Sequence, residues 1–449
     1  MQKRDGFTSS IGVTLATLGS AVGLGNIWKV PYLTGMNGGA SFLVMYIMCT
    51  FVVGLPIMIA EILIGRHVKA NAVESYRKLS PKGQPWFLIG VIGVLGAFTI
   101  TAYYSGVAGW VFAYVYKSFA ALITGGGVVD STAMFNDLVT DPAQAVFWQY
   151  VVLVTVGLVI MMGVSKGIEG TVKRLMPVLF VLLVALGIRS MTLPGASAGL
   201  SFLFSPDFSK IDSNVILMAL GLAFFKMSIG MGIMTTYGSY YRDDQNVPFT
   251  TLQVMLADLT VSILAGVAIF PAVFAFGMEP AAGPSLLFLT IPEVFKSMPL
   301  GNFFQLLFFV LAAVASLGAM LSLLEVPVAF ITEQTGWSRK AGTSITVGLL
   351  MLFGAPAALS SSVAQGWHIF GMNPFDFYDY LSSNLLLPLD GIAICVFAAW
   401  VWGKKPFSKA FSNNGQLENG TIAALAFGLL KYVSPVLILI ILFKGLGVF

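Results

Sequence analysis

The stretch SAVGLGNIWKVPY, residues 20–32, decides how this chain folds. It lies inside a long apolar run, yet carries two glycines around Leu24 and a polar Asn26. A second stretch, AFFKMSIGMG at residues 223–232, repeats the arrangement with Gly230 and Gly232 around Met231, next to Ser228 and Lys226. A full charge near the middle of a bilayer costs at least a few kcal/mol, so such a lysine marks a function or a partner.

The surroundings of both stretches are those of a membrane protein. The chain has 449 residues, of which 57% are hydrophobic and only 10% charged. A soluble domain carries about a quarter charged residues. Repeated apolar stretches of about 20 residues point to helices; barrel strands would alternate. Met1–Arg4 leads straight into the first span, so no cleavable signal is expected. Eleven spans are expected, near 9–33, 40–66, 87–121, 146–163, 173–191, 214–240, 249–277, 302–333, 341–360, 375–402 and 421–445. With the N-terminus inside, Arg66, Lys69, Arg77, Lys166, Arg242, Arg339 and Lys404 fall inside, and few cations besides Lys117, Arg189 and Lys210 fall outside. That asymmetry follows the positive-inside rule and orients the chain in the inner (plasma) membrane, with Phe449 outside. The +4 net charge is explained by this distribution, not by nucleic acid. The proline-broken segment 279–299 reads as a long external loop with short helical pieces. Asn419-Gly420-Thr421 lies on the inside and reads as a chance glycosylation match. Cys49 and Cys395 both fall in apolar spans, and no disulfide between them is expected.

Glycine-interrupted spans in corresponding positions of two halves point to a transporter site at a repeat interface. Here the first and sixth spans each open a set of five. The chain then reads as a single transmembrane domain: a first repeat over about 9–191, an inverted second over 214–402, and an extra helix over 421–445. Unwinding frees backbone groups, which survive in a bilayer only if buried in protein or occupied by a ligand. Half-helix ends offer partial positive charge to a carboxylate and carbonyls to a cation. The competing reading, glycines that only let helices pack closely, suits one such motif better than a matched pair. An enzyme finds no support: there is no Ser/His/Asp set and no metal-ligand spacing, and His67 and His368 lie near span ends. A sensor would need an appended soluble domain, and none is visible; a channel suits the paired breaks poorly. The sequence implies a lipid bilayer and no cofactor, and fixes no oligomeric state.

The motifs themselves carry a resemblance. AVGLGNIWKVPY, NGGASF at 37–42, TTYGSYYRDDQN at 235–246, GPSLLFLTIP at 283–292 and LLEVPVAF at 323–330 resemble the neurotransmitter:sodium symporter family, in its eleven-helix, bacterial leucine-transporter-like form. The likeness covers essentially the whole chain. It implies an all-α polytopic fold of two inverted five-helix repeats and alternating-access transport of amino acids. It also implies that the substrate's amino and carboxylate groups meet Ala21, Gly23, Leu24 and Gly25 in the first span and Phe225 and Ser228 in the sixth. Tyr104 matches a tyrosine that contacts the carboxylate. Ile100, Phe225, Met231, Ala319 and Leu323 match the side-chain pocket, which is apolar and suits a hydrophobic or sulfur-containing amino acid. An outer gate matches Lys29 and Asp379, where lysine lacks the bidentate fork of arginine. An inner gate matches Arg4, Phe7, Tyr240 and Glu333.

The resemblance implies two sodium ions, and both positions depart from it. The first site matches Ala21, Asn26, a helix-6 hydroxyl that is Lys226 here, and Asp258 in the seventh span. The expectation is that Lys226 puts its ammonium where the first sodium would sit, facing Asp258 and the substrate carboxylate; a purely structural ion pair is the alternative. The second site matches the backbone of Gly19 and Val22 and two hydroxyl positions that are Gly318 and Ala319 here. Ser316 or Ser322 would replace those hydroxyls only with a shifted register. A hard cation needs about six oxygens. The chain is therefore expected to work without the usual sodium, as an exchanger, a facilitator or a proton-coupled carrier through Lys226 and Asp258, with a conventional sodium symporter as the alternative.

Overall fold

The computed structural model describes residues 5–124, 131–277, 286–296 and 298–448. Among them nine helices are long and apolar enough to cross a membrane. They are Ala40–Val68, Phe87–Thr124, Pro142–Met161, Val164–Met191, Val247–Ala275, Gly301–Thr335, Arg339–Ala358, Pro374–Trp402 and Gly420–Gly445. They are spans 2 to 5 and 7 to 11. Span 1 is the pair Ser10–Ala21 and Gly25–Met36, bent by 55° at its break. Span 6 is Ser213–Lys226 followed by the short Ile233–Gly238. The chain is an all-α polytopic bundle with spans 1 and 6 broken where the glycines predicted.

Local chemistry sets the helix starts. Ser9 caps span 1 by accepting from Gly12 N–H. Asp212, Asn246 and Ser338 do the same for spans 6, 7 and 9, as short oxygen-bearing side chains do at orphan helix N–H groups. Span 5 departs from expectation. It was expected to begin near 173, yet the helix runs from Val164. The buried Glu169 explains this. It accepts from Thr8 N–H at 2.7 Å and Lys173 Nζ at 2.6 Å, so its charge is paired inside the bundle and the helix can continue through it.

Four short helices, Ala72–Leu79, Ser131–Thr140, Ala196–Phe204 and Lys404–Phe411, sit in segments expected as connections. Ala196–Phe204 docks through Gly199, where a Cβ would meet Pro271 N at 2.5 Å. In the external loop expected over 279–299, the pieces Leu286–Thr290 and Ile291–Lys296 are helical, and 278–285 lies outside the described residues. Cys49 and Cys395 are free.

Span 3 packs along span 8, and the first half of span 1 lies against spans 5, 7 and 8. The two breaks therefore face each other in the middle of the bundle.

Candidate functional site

In span 1 the helix stops at Ala21, and Val22 turns extended at φ −81°, ψ 113°. The freed groups find partners nearby. Gly23 N–H donates to Asn26 Oδ1 at 3.0 Å, and Leu24 N–H donates to the Tyr104 hydroxyl at 3.2 Å. In span 6 the helix stops at Lys226. Gly230 and Gly232 then take φ +70° and +66°, a left-handed conformation that glycine adopts without penalty. Ser228 takes φ +53° and donates its hydroxyl to Ser20 O at 2.8 Å, which ties one break to the other.

Lys226 joins them a second time. Its Nζ donates to Ala21 O at 3.0 Å, Asn26 Oδ1 at 2.6 Å and Asp258 Oδ1 at 2.6 Å. Both side chains of the ion pair are buried, at 3% and 0% exposure. Ala21 and Lys226 are the last residues of two half-helices, whose C-terminal ends carry partial negative charge and unsatisfied carbonyls. The ammonium thus sits where two helix ends, a carboxylate and an amide oxygen converge. Asn26 Nδ2 closes the group by donating to Asp258 Oδ1 at 2.8 Å and Ser262 Oγ at 3.0 Å.

A cavity of about 80 Å³ lies between the breaks. Ala21, Gly23, Gly25, Ile100, Tyr104, Phe225, Lys226, Ser228, Met231, Ala319 and Leu323 line it. These are the expected substrate residues except Leu24, which enters only through its backbone. Two of them are closely approached: a Cβ on Gly23 would meet the Ala319 methyl at 3.1 Å, and one on Gly25 would meet Lys226 Cδ at 3.2 Å.

At the position matched to a second cation, span 8 packs against the first half of span 1. A Cβ on Gly318 would stand 2.7 Å from Gly19 O, so span 8 lies directly against that carbonyl. Ser316 and Ser322 donate back into their own helix, to Ala313 O and Ala319 O at 2.8 Å each.

The gates depart further. Lys29 and Asp379 do not pair. Lys29 Nζ stands 4.1 Å from the Phe225 ring centroid, while Asp379 Oδ1 accepts from Tyr103 OH at 3.0 Å and Ser383 Oγ at 2.9 Å. The carboxylate is satisfied by hydroxyls on its own side, and the lysine finds a desolvated aromatic face over the cavity. At the other end Phe7 packs edge-on against Tyr240 at 6.0 Å, and Phe7 N–H donates to Tyr240 O at 3.1 Å. Glu333 accepts from Asn71 N and Nδ2, both at 2.9 Å. Arg4 lies outside the described residues. Sequence reasoning missed the buried Glu325, which accepts from Tyr240 OH at 2.6 Å and pairs with Arg339 at 2.6 Å. An acid in the apolar run LLEVPV was the available signal. It also missed Ser20 and Tyr103, which line the cavity, and Ser262, one helical turn from Asp258 and on the same face.

Comparison with known proteins agrees along the whole chain. The profile of the Sodium:neurotransmitter symporter family matches residues 4–126 and 133–449. The uncharacterized sodium-dependent transporter YhdH of Bacillus subtilis (strain 168) is 37% identical over 453 residues, covering 100% of this chain and 99% of that protein. An uncharacterized sodium-dependent transporter of Haemophilus influenzae (strain ATCC 51907 / DSM 11121 / KW20 / Rd) is 33% identical over 461 residues, covering 99% of each. The crystal structure of MhsT in complex with L-phenylalanine superposes with a TM-score of 0.89 at 40% identity, covering 99% of this chain and 100% of that one.

Proposed function

This chain belongs to the Sodium:neurotransmitter symporter family, and from that premise we propose that it is a secondary transporter of amino acids with apolar or sulfur-containing side chains, working by alternating access without the usual sodium ions. One observation carries the reading. Ala21 O, Asn26 Oδ1 and Asp258 Oδ1, which the family resemblance assigns to a first sodium, all hold the Lys226 ammonium. A fixed group of the same charge, paired with Asp258 at 2.6 Å, then faces the substrate carboxylate. The direct approach of Gly318 to Gly19 O supports the loss of the second ion as well.

The lining of Ile100, Met231, Ala319 and Leu323 supports an apolar substrate side chain, and MhsT was crystallised with L-phenylalanine. The breaks in spans 1 and 6 support two inverted repeats over about 9–191 and 214–402. The distribution of lysine and arginine supports an inside N-terminus and an outside C-terminus.

Uptake of labelled L-phenylalanine, L-leucine and L-methionine into proteoliposomes tests this, with sodium or choline outside and with or without a pH gradient. Equal uptake in sodium and choline is expected, and the counterflow and pH arms then separate exchange, facilitated diffusion and proton drive. Strong sodium stimulation overturns the sodium-free reading and returns a conventional symporter. Binding without uptake or exchange overturns transport in favour of a sensor.

A further inference from the structure

Most cations within the spans meet an oxygen. Lys173, Lys226 and Arg339 pair with Glu169, Asp258 and Glu325. Arg66 donates to Gln245 O and Ala410 O, and Lys444 donates to Asn214 Oδ1. Lys431, inside span 11, meets none among the described residues. Its Nζ lies 5.5 Å from the Trp400 ring centroid and 5.2 Å from that of Tyr432. Trp400 and Tyr432 are 51% and 66% exposed, so the ammonium stands in an aromatic cleft that opens to the outside of the bundle. A charged residue in a span marks a function or a partner, and neither the cavity nor the breaks absorb this one.

The backbone shapes the cleft. Trp400 lies in the π-helical turn Phe397–Trp402 of span 10, and Lys431 and Tyr432 lie in the π-helical turn Leu429–Val433 of span 11. The two turns pack against each other. A π turn carries one residue more than an α turn and is frequent at functional sites.

Ring contacts fix the depth of the lysine. Phe427 packs on Phe407 at 5.4 Å, and Phe407 on Trp402 at 6.3 Å. Phe427 is therefore level with the end of span 10 and with the helix Lys404–Phe411 that follows it. Lys431 is one turn deeper, about 6 Å, and its side chain reaches back to Trp400, two residues before that end. Past the end stand Lys404, Lys405 and Lys409, all exposed, as in a cytoplasmic segment. None of the four lysines forms an ion pair among the described residues. The face carries positive charge at two depths and no acid to balance it.

We propose that the cleft between spans 10 and 11 seats an anionic phospholipid of the inner leaflet. Its phosphate binds the Lys431 ammonium between Trp400 and Tyr432, with Lys404 and Lys405 at the rim. Basic clefts between helices on the cytoplasmic side hold such head groups. The charge selects the lipid: a choline head group would bring a cation to a face that already has four.

Native mass spectrometry of the full-length protein in detergent, titrated with phosphatidylglycerol or phosphatidylcholine, tests the seat. Phosphatidylglycerol is expected to bind about fivefold more tightly. Lys431→Gln should remove the difference, and Lys431→Arg should keep it. Lys444→Gln, at the other end of the same span, should leave it unchanged. In nanodiscs, the part of the tryptophan fluorescence that Trp400→Phe removes should be quenched more by brominated phosphatidylglycerol than by brominated phosphatidylcholine. Equal binding of the two lipids by the wild type overturns the proposal, as does a preference that survives Lys431→Gln. Loss of the preference in Lys444→Gln, or equal quenching of Trp400, overturns it too. A lysine that only reaches for interfacial water would give those results. Sodium-stimulated uptake would defeat the sodium-free reading and leave the lipid preference in place, so the two fail separately.

Discussion

Lys226 Nζ stands 2.6 Å from Asp258 Oδ1 across two spans, with both side chains buried. The pair is the point at which the two broken helices and the seventh span are held together. Neither charge has another full counter-charge within the group: the remaining partners of the ammonium are Ala21 O and Asn26 Oδ1.

Removing one partner should therefore cost far more than removing both. Lys226→Met or Asp258→Asn alone is expected to lower stability by about 3–5 kcal/mol, because a lone charge is left in the bundle. The double variant should recover most of the loss. Thermal or urea unfolding of the four proteins in detergent measures the cycle, and purely additive losses would show that the pair is not coupled.

Restoring a hydroxyl and an amide should bring the ion back. Lys226→Thr with Asp258→Asn gives the first site an uncharged ligand set around Ala21 O and Asn26. The expected result is a melting temperature that rises with sodium over choline in the double variant but not in the wild type, since a ligand that binds only the folded state stabilises it. A sodium response in the wild type would remove the basis for treating Lys226 as the ion's replacement.

The lid over the cavity is predicted to depend on Lys29 and Phe225. A cation over an aromatic face at 4.1 Å contributes about 0.5–1 kcal/mol. Lys29→Met should then speed release of bound L-phenylalanine about 2- to 5-fold in a filter or scintillation-proximity assay. The charge-reversed Lys29→Asp/Asp379→Lys protein should not restore the slower rate. Restoration would mean that the ion-pair gate expected from the sequence forms during the cycle.

A side chain at 318 should hurt without helping. Gly318→Ser places an atom 2.7 Å from Gly19 O, and overpacking of this kind costs about 1–3 kcal/mol. Lower thermal stability with no gain of sodium response is expected. A sodium-dependent rise in stability would show that spans 1 and 8 separate enough to hold an ion.

The sequence by itself determined the class and the position of the two helix breaks. Apolar stretches long enough to cross a bilayer, and glycines paired inside two of them, are one-dimensional signals, because a membrane forces each span to satisfy its own backbone. The placement of Lys226 against Asp258 was legible for the same reason: an intramembrane charge requires a partner. The tertiary structure alone decided which groups meet where several partners compete. Lys29 had a carboxylate available at Asp379 and took the face of Phe225. SKGIEG was polar enough for a loop and became helix because Glu169 found Thr8 and Lys173. Gly318 lacks a side-chain oxygen, but only the packing brings it against Gly19 O. Glu61 and Gly230, distant in the chain, meet only because the break in span 6 packs against span 2. Hydrogen bonds and close contacts act over a few ångströms, and distances of that size between remote residues are set by the packed bundle.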